Sequence, residues 1–126
     1  MLKVLIADDA KIMRNILKNT ITEQYSDSHI IEAGNGQEAV DLYKKEKPHI
    51  VTMDITMDQK NGLDAAREIL AMDKNAKIVM VTSLGQEKIL SECVQAGVQD
   101  YIVKPFSKER ILSSISHALN DHDGKE

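Results

Sequence analysis

The chain has 126 residues, of which 42% are hydrophobic and 29% are charged, so one globular domain with a single hydrophobic core is expected. The net charge of −4 and the aromatic content of 3% argue against nucleic-acid and membrane-surface binders, because these need clustered positive charge or stacking surfaces. No apolar run approaches the ~20 residues of a membrane span. The N-terminus does not resemble a secretion signal. The single cysteine, Cys93, excludes an intramolecular disulfide and fits a reducing cytoplasm.

Five short apolar runs alternate along the chain with segments of helical periodicity. The predicted strands are, in chain order, Val4–Ala7, His29–Ile31, His49–Met53, Lys77–Val81 and Tyr101–Val103. The apolar stripes of the intervening helices are formed by Ile12, Met13, Ile16, Leu17 and Ile21, by Ala39, Val40 and Tyr43, by Leu63, Ala66, Ile69 and Leu70, by Ile89, Leu90, Cys93 and Val94, and by Ile111, Leu112, Ile115 and Leu119.

The predicted strands are almost continuously apolar, which is typical of a parallel sheet covered by helices on both faces. Five strand–helix units account for the chain and leave no material for a second domain. We therefore predict one α/β domain of the doubly wound type over residues 1–120. The residues that remain, 121–126, are expected to form a short tail, with no output domain.

Polar residues stand at the carboxyl ends of the predicted strands, which is where a doubly wound sheet places its functional site. Asp8 and Asp9 follow the first strand, Asp54 the third, Thr82 the fourth and Lys104 the fifth. Clustered carboxylates repel one another unless a cation lies among them, and Mg²⁺ prefers such oxygen ligands. A hydroxyl and an ammonium group suit phosphoryl oxygens, and an aspartate can accept a phosphoryl group as an acyl phosphate.

The segments LIADDA, IVTMDITM, MVTS and YIVKPF occur in this order along the chain. Together they resemble the motifs of bacterial two-component response-regulator receiver domains, most closely the stand-alone chemotaxis regulators of the CheY type. The resemblance covers essentially the whole chain. It implies a flavodoxin-like (βα)5 fold with a parallel five-stranded sheet in the strand order 2-1-3-4-5.

The resemblance implies a role for each polar residue of the chemistry. Asp54 is the expected phospho-acceptor, and Thr82 and Lys104 are expected to contact the phosphoryl oxygens. Tyr101 is expected to turn inward from a more exposed rotamer as Thr82 moves. The peptide bond between Lys104 and Pro105 is expected to be cis.

The resemblance also implies Mg²⁺ as a cofactor. Asp9 and Asp54 are the expected direct ligands, the Thr56 carbonyl is a further ligand, and Asp8 acts mainly through water. In the segment DITMDQKNG the family usually has proline after the methionine, where this chain has Asp58. This difference removes a restraint on φ and adds a charge near the metal, so it bears on loop rigidity and metal affinity.

The implied function is that of a phosphorylation switch, which catalyses its own aspartyl phosphorylation and dephosphorylation but acts primarily in signalling. The expected donor is a sensor histidine kinase of the CheA type, with small phosphodonors as substitutes. The expected output partner is a flagellar motor switch protein or another protein, bound through the fourth helix, fifth strand and fifth helix. A phosphatase is a further candidate partner. A phospho-relay shuttle in a non-motility pathway is the alternative.

Other interpretations of these residues are open at the level of sequence. Asp8 or Asp9 could cap the following helix, although this would leave one of them unexplained. The segment Gly34–Ala39 (GNGQEA) matches the dinucleotide-binding pattern G-x-G-x-x-A, with Asp54 about 20 residues further on. That pattern normally follows the first strand, however, and here it follows the second. A pure interaction module would show a disrupted acceptor, metal pair or lysine, and all of these are present.

Overall fold

A computed structural model of the chain describes residues 1–120, and five strands alternate with five helices along them. The strands are β1 (Leu2–Ala7), β2 (Ser28–Ala33), β3 (Ile50–Met53), β4 (Ile78–Thr82) and β5 (Asp100–Val103). The helices are α1 (Lys11–Gln24), α2 (Gly36–Glu46), α3 (Gly62–Met72), α4 (Glu87–Ala96) and α5 (Lys108–Asn120). The predicted tail, 121–126, lies outside the described residues.

All five strands are parallel and form one sheet in the order β2-β1-β3-β4-β5, which confirms the predicted fold. Strand β1 lies between β2 and β3, and Ala7 pairs with both Ala33 and Met53. The next residue along β1, Asp8, and the next along β3, Asp54, therefore leave the sheet at the same edge. This register explains why residues far apart in sequence meet at one site.

Helices cover both faces of the sheet. Successive side chains of a strand point to opposite faces, so each strand can contribute to two cores. Val4 and Ile6 of β1 belong to a buried cluster that includes residues of α1 and α5. Leu5 and Ala7 belong to a second cluster that includes residues of α2, α3 and α4. Two cores on either side of a parallel sheet are the doubly wound arrangement that the apolar strands predict.

The predicted apolar stripes of the helices are wrong for three residues, which face away from the core. Ile12 and Ile16 of α1 are 72% and 45% exposed, and Val94 of α4 is 67% exposed. Helix α1 packs on the sheet with Leu17 and Ile21. A residue one position away from Leu17 lies about 100° around the helix, which turns Ile16 out of the interface.

None of the helices described for residues 1–120 is both long and apolar enough to cross a membrane.

Candidate functional site

The polar residues predicted to form the site converge at the carboxyl edge of the sheet. One carboxylate oxygen from each of Asp8, Asp9 and Asp54 lies within 4.8 Å of the others. Lys104, which follows β5, places its Nζ 2.9 Å from Asp8 Oδ2 and 3.5 Å from Asp54 Oδ2. Thr82 is the last residue of β4, the strand next to β3. The structure thus brings three carboxylates and an ammonium group together, and Thr82 ends a neighbouring strand at the same edge of the sheet.

The two adjacent aspartates after β1 have different environments. Asp8 is buried, and its two carboxylate oxygens accept hydrogen bonds from the Ala10 N–H at 2.9 Å and from Lys104 Nζ at 2.9 Å. Asp9 is exposed, and its carboxylate accepts no hydrogen bond within residues 1–120. Helix α1 begins after Ala10, which caps it without a side-chain hydrogen bond. The interpretation of either aspartate as a helix cap is therefore wrong.

The pKa of Asp54 is raised above its ordinary value, chiefly because the carboxyl group is buried. The Lys104 ammonium lowers this pKa, the Asp8 carboxylate raises it, and the Ile55 N–H lowers it, but burial prevails. A negative charge is therefore held here at a cost in free energy. A bound divalent cation would offset this cost, and carboxylates are the oxygen ligands that Mg²⁺ prefers, so the residues fit such an ion.

Thr82 and Tyr101 both contact the backbone of Leu84. The fully buried Thr82 accepts a hydrogen bond from the Leu84 N–H through Oγ1 at 3.2 Å, and the Tyr101 hydroxyl donates to the Leu84 carbonyl oxygen. The side chain of Tyr101 is buried. The sequence indicates the pairing of Thr82 with Tyr101 but not the position of Leu84 between them, because Leu84 contributes through its backbone alone.

Two glycines allow close backbone contacts at the loop between β3 and α3. A Cβ atom at Gly62 would lie 1.8 Å from the Asp54 carbonyl oxygen, and one at Gly36 would lie 1.9 Å from the Lys60 carbonyl oxygen. Within the loop, the Lys60 N–H donates to the Asp58 carbonyl at 2.7 Å. These contacts restrain the loop that carries Thr56 without a proline after the methionine. The peptide bond between Lys104 and Pro105, which follows β5, is cis.

We expect Gly62→Ala to destabilise the protein by about 1–3 kcal/mol, the usual cost of forcing an extra carbon into a packed position. The cost arises because the added methyl group would overlap the carbonyl of Asp54 itself. Urea unfolding of the variant gives the free energy directly. Gly85→Ala is the matched control, because its Cβ would meet only the Val103 side chain at 3.5 Å. Equal stability of the two variants would contradict the close-contact account.

The segment Gly34–Ala39 has a structural explanation that requires no nucleotide. The Asn35 side chain caps α2 by accepting a hydrogen bond from the Glu38 N–H at 2.8 Å, and Glu38 Oε1 accepts one from the Gly34 N–H at 2.5 Å. The arrangement differs from a capping box, in which the glutamate would accept from the N–H of the N-cap residue Asn35, because here the donor is the residue before it. Gly36 provides the close contact with Lys60. Both glycines of the dinucleotide-binding pattern thus shape the start of α2 and its contact with the β3–α3 loop.

Comparisons with known proteins agree with this geometry. Residues 4–116 match the family model of the response regulator receiver domain. The chain is 48% identical over 115 residues to the chemotaxis protein CheY of Thermotoga maritima, covering 90% of this chain and 94% of that protein. It is 44% identical over 121 residues to the protein CcdB of Bacillus subtilis, covering 94% of this chain and 98% of that protein.

A solved structure is similar over nearly the whole chain. It is a chain of the CheX–CheY–BeF3–Mg²⁺ complex from Borrelia burgdorferi, with a TM-score of 0.89 and 32% identity. The match covers 95% of this chain and 90% of that chain. The similarity therefore extends over the fold as a whole.

Proposed function

The chain belongs to the response regulator receiver domain family, and on that premise we propose that it is a Mg²⁺-dependent phosphorylation switch with Asp54 as the acceptor. Phosphorylation by a kinase is a general property of the family. The observation that carries the proposal is the meeting of three carboxylates within 4.8 Å beside Lys104. Incubation with a small phosphodonor, followed by localisation of the modification, tests it directly.

Asp9 and Asp54 are proposed as the direct side-chain ligands of Mg²⁺, with the Thr56 carbonyl as a backbone ligand. Asp8 is proposed to act mainly through water, because both of its oxygens already accept hydrogen bonds from protein donors. The exposed Asp9 carboxylate has no such donor within the described part of the chain. When bound, Mg²⁺ supplies neutralisation of the negative charge on the phosphoryl oxygens.

Asp54 is proposed to act as the nucleophile. A carboxylate oxygen forms a bond to phosphorus while the bond from phosphorus to the donor nitrogen of a phosphohistidine breaks, and that electron pair returns to the imidazole ring. Lys104 lies 3.5 Å from Asp54, so its ammonium group can donate to an oxygen of the transferred group. The Thr82 hydroxyl hydrogen can do the same. Positioning and charge neutralisation are the main requirements of phosphoryl transfer.

The route from the modified Asp54 to the protein surface is proposed to run through Leu84. A phosphoryl group brings about −1.5 to −2 charge and new acceptor oxygens, which would draw the Thr82 hydroxyl away from the Leu84 N–H. Because Tyr101 donates to the carbonyl of the same residue, a change at Leu84 alters the hold on Tyr101. The surface that responds comprises α4, β5 and α5, where Val94 and Val103 are exposed apolar residues.

We expect Thr82→Ala still to accept the phosphoryl group at Asp54 but to transmit little change to Tyr101. The variant lacks the hydroxyl that joins the site to Leu84. The measurement is the NMR signal of fluorotyrosine at position 101 before and after phosphorylation, assigned by replacing the other tyrosines with phenylalanine. Thr20→Ala, a similar truncation on α1, is the control and should keep the wild-type response. A full response in Thr82→Ala would show that the signal leaves by another route.

The donor is proposed to be a sensor histidine kinase of the CheA type, in the cytoplasm, and a phosphatase is a further proposed partner. The similarity to CheY of Thermotoga maritima supports an output in chemotaxis, through a flagellar motor switch protein bound to the α4–β5–α5 surface. The similarity to CcdB of Bacillus subtilis, which is not named as a chemotaxis protein, favours a phospho-relay shuttle as the second candidate. Phosphorylation-dependent binding to a motor switch protein, compared with phosphoryl transfer to a second histidine, separates the two.

A further inference from the structure

The peptide that joins Asp8 to Asp9 is held by the side chain of Arg14 on α1. Arg14 Nη1 donates to the Asp8 carbonyl oxygen at 2.6 Å, and Arg14 Nε donates to Glu32 Oε1 at 2.9 Å. The Asp8 N–H donates in turn to the Ala33 carbonyl at 3.0 Å. The Asp8 N–H therefore bonds the β1–α1 turn directly to β2. The Arg14 guanidinium group bonds the same turn to α1, and it also bonds α1 to β2.

Arg14 and Glu32 are well placed to act as one rigid unit. Their side chains are only 17% and 32% exposed, so the ion pair is partly shielded from water. The planar guanidinium group presents several donors in a fixed geometry, and charge-assisted hydrogen bonds are stronger than those between neutral groups. Glu32 is anchored in β2, where it pairs with Ile6 of β1. The guanidinium group is thus fixed relative to the sheet edge.

The position of the Asp9 carboxylate depends on the bond between Arg14 and the Asp8 carbonyl more than the positions of the Asp8 and Asp54 carboxylates do. The Asp9 carboxylate is exposed and accepts no hydrogen bond within residues 1–120, so side-chain contacts do not fix where it lies. Its backbone nitrogen belongs to the same planar peptide as the Asp8 carbonyl. A bond that fixes this carbonyl therefore fixes the direction in which Asp9 leaves β1.

We propose that Arg14, oriented by Glu32, is a positioning residue that preorganises the Asp9 carboxylate for a divalent cation. This inference rests on the proposed function, in which Asp9 is a direct ligand of Mg²⁺. Electrostatics and positioning predict opposite effects of removing Arg14. A nearby positive charge repels a cation, so its loss alone would strengthen metal binding, whereas loss of the hold on the Asp8–Asp9 peptide weakens it.

The test is calorimetric titration of Mg²⁺ into the wild type, Arg14→Gln, Arg14→Lys and a control. Residues that support metal ligands typically contribute 10–100-fold in affinity, so Arg14→Gln should bind about tenfold more weakly. Arg14→Lys keeps the charge but loses the several fixed donors of the guanidinium group, so it should also bind Mg²⁺ more weakly. This variant replaces Arg14→Gln in the test if the glutamine variant does not fold. Lys3→Gln is the control and should bind as the wild type does. At the other end of β1, Lys3 contacts the carboxylate and the carbonyl of Glu46 at 3.4 Å and 3.2 Å.

A second measurement does not depend on metal. The ¹³C resonance of the Asp8 carbonyl in metal-free protein should shift in Arg14→Gln and not in Lys3→Gln. Unchanged or tighter Mg²⁺ binding by Arg14→Gln, beside normal binding by the wild type, would overturn the role of Arg14 alone. Absence of Mg²⁺ binding by the wild type would overturn the proposed metal site and this inference with it.

Discussion

Asp54→Asn is expected to abolish phosphorylation by small phosphodonors, the largest effect of any single substitution in the chain. An amide is not a nucleophile, and the remaining groups of the site can only position or neutralise the phosphoryl group. The measurement is the intact mass of the protein after incubation with the phosphodonor and Mg²⁺. The wild type should gain one phosphoryl group that is removed by hydroxylamine, as an acyl phosphate is. A stable gain of the same mass in Asp54→Asn would place the acceptor at another residue.

The loss in Asp54→Asn should not come from unfolding, because the variant is expected to be more stable than the wild type without metal. The pKa of Asp54 is raised in the folded protein, mainly by burial, above an ordinary value of 3.8. The folded state therefore binds more protons than the unfolded chain, and stability falls as pH rises from 3.8 through the folded pKa. The amide does not titrate. Urea midpoints in chelator should favour the variant at neutral pH and converge as the pH falls towards 3.8.

Asp9→Asn is expected to weaken Mg²⁺ binding more than any other substitution that leaves the acceptor intact. It removes one of only two proposed side-chain ligands, so the loss should exceed the roughly 10–100-fold typical of residues that only support a ligand. Asp8→Asn should stay within that smaller range, because Asp8 is engaged with Ala10 and Lys104. Calorimetric titration of each protein with Mg²⁺ gives the affinities.

The control for Asp9→Asn is Asp58→Asn, which removes one exposed carboxylate from the β3–α3 loop. Loss of general negative charge should weaken binding only slightly, because exposed charges are screened by water and salt. Phosphorylation of Asp9→Asn should require correspondingly more Mg²⁺, and this dependence is a second readout. If Asp9→Asn and Asp58→Asn weaken binding equally, Asp9 contributes charge and not coordination.

The fold was predictable because apolar runs typical of strands alternate regularly with segments of helical periodicity along the chain. Continuous apolar runs such as Val4–Ala7 are typical of a sheet covered on both faces. Parallel topology then brings Asp8, Asp54 and Lys104 to one edge. Helix faces were less predictable. Ile12 and Ile16 continue the apolar stripe of α1 in sequence but are exposed in the structure. The sequence does not indicate which of the apolar residues of a helix face the sheet.

The parts of the site that the sequence did not indicate depend on contacts between distant backbone atoms. The sequence shows glycine at positions 36 and 62 but not that a backbone carbonyl oxygen lies beside each of them. A Cβ atom would be 1.9 Å from that oxygen at Gly36 and 1.8 Å from it at Gly62. Arg14 could be read only as a charged residue on an amphipathic helix, since its bond to the Asp8 carbonyl depends on the path of the β1–α1 turn. Leu84 contributes its peptide N–H and C=O groups, which every residue type except proline possesses.

The position of the phosphoryl group on the wild-type chain decides whether Asp54 is the acceptor. Borohydride reduces the acyl phosphate of an aspartate to homoserine, so the modified position can be found by mass spectrometry of the proteolytic peptides. After treatment with a small phosphodonor and Mg²⁺, the proposed function predicts homoserine at position 54, and none when the Mg²⁺ is chelated beforehand. Homoserine at Asp8 or Asp9, with Asp54 unchanged, would contradict it.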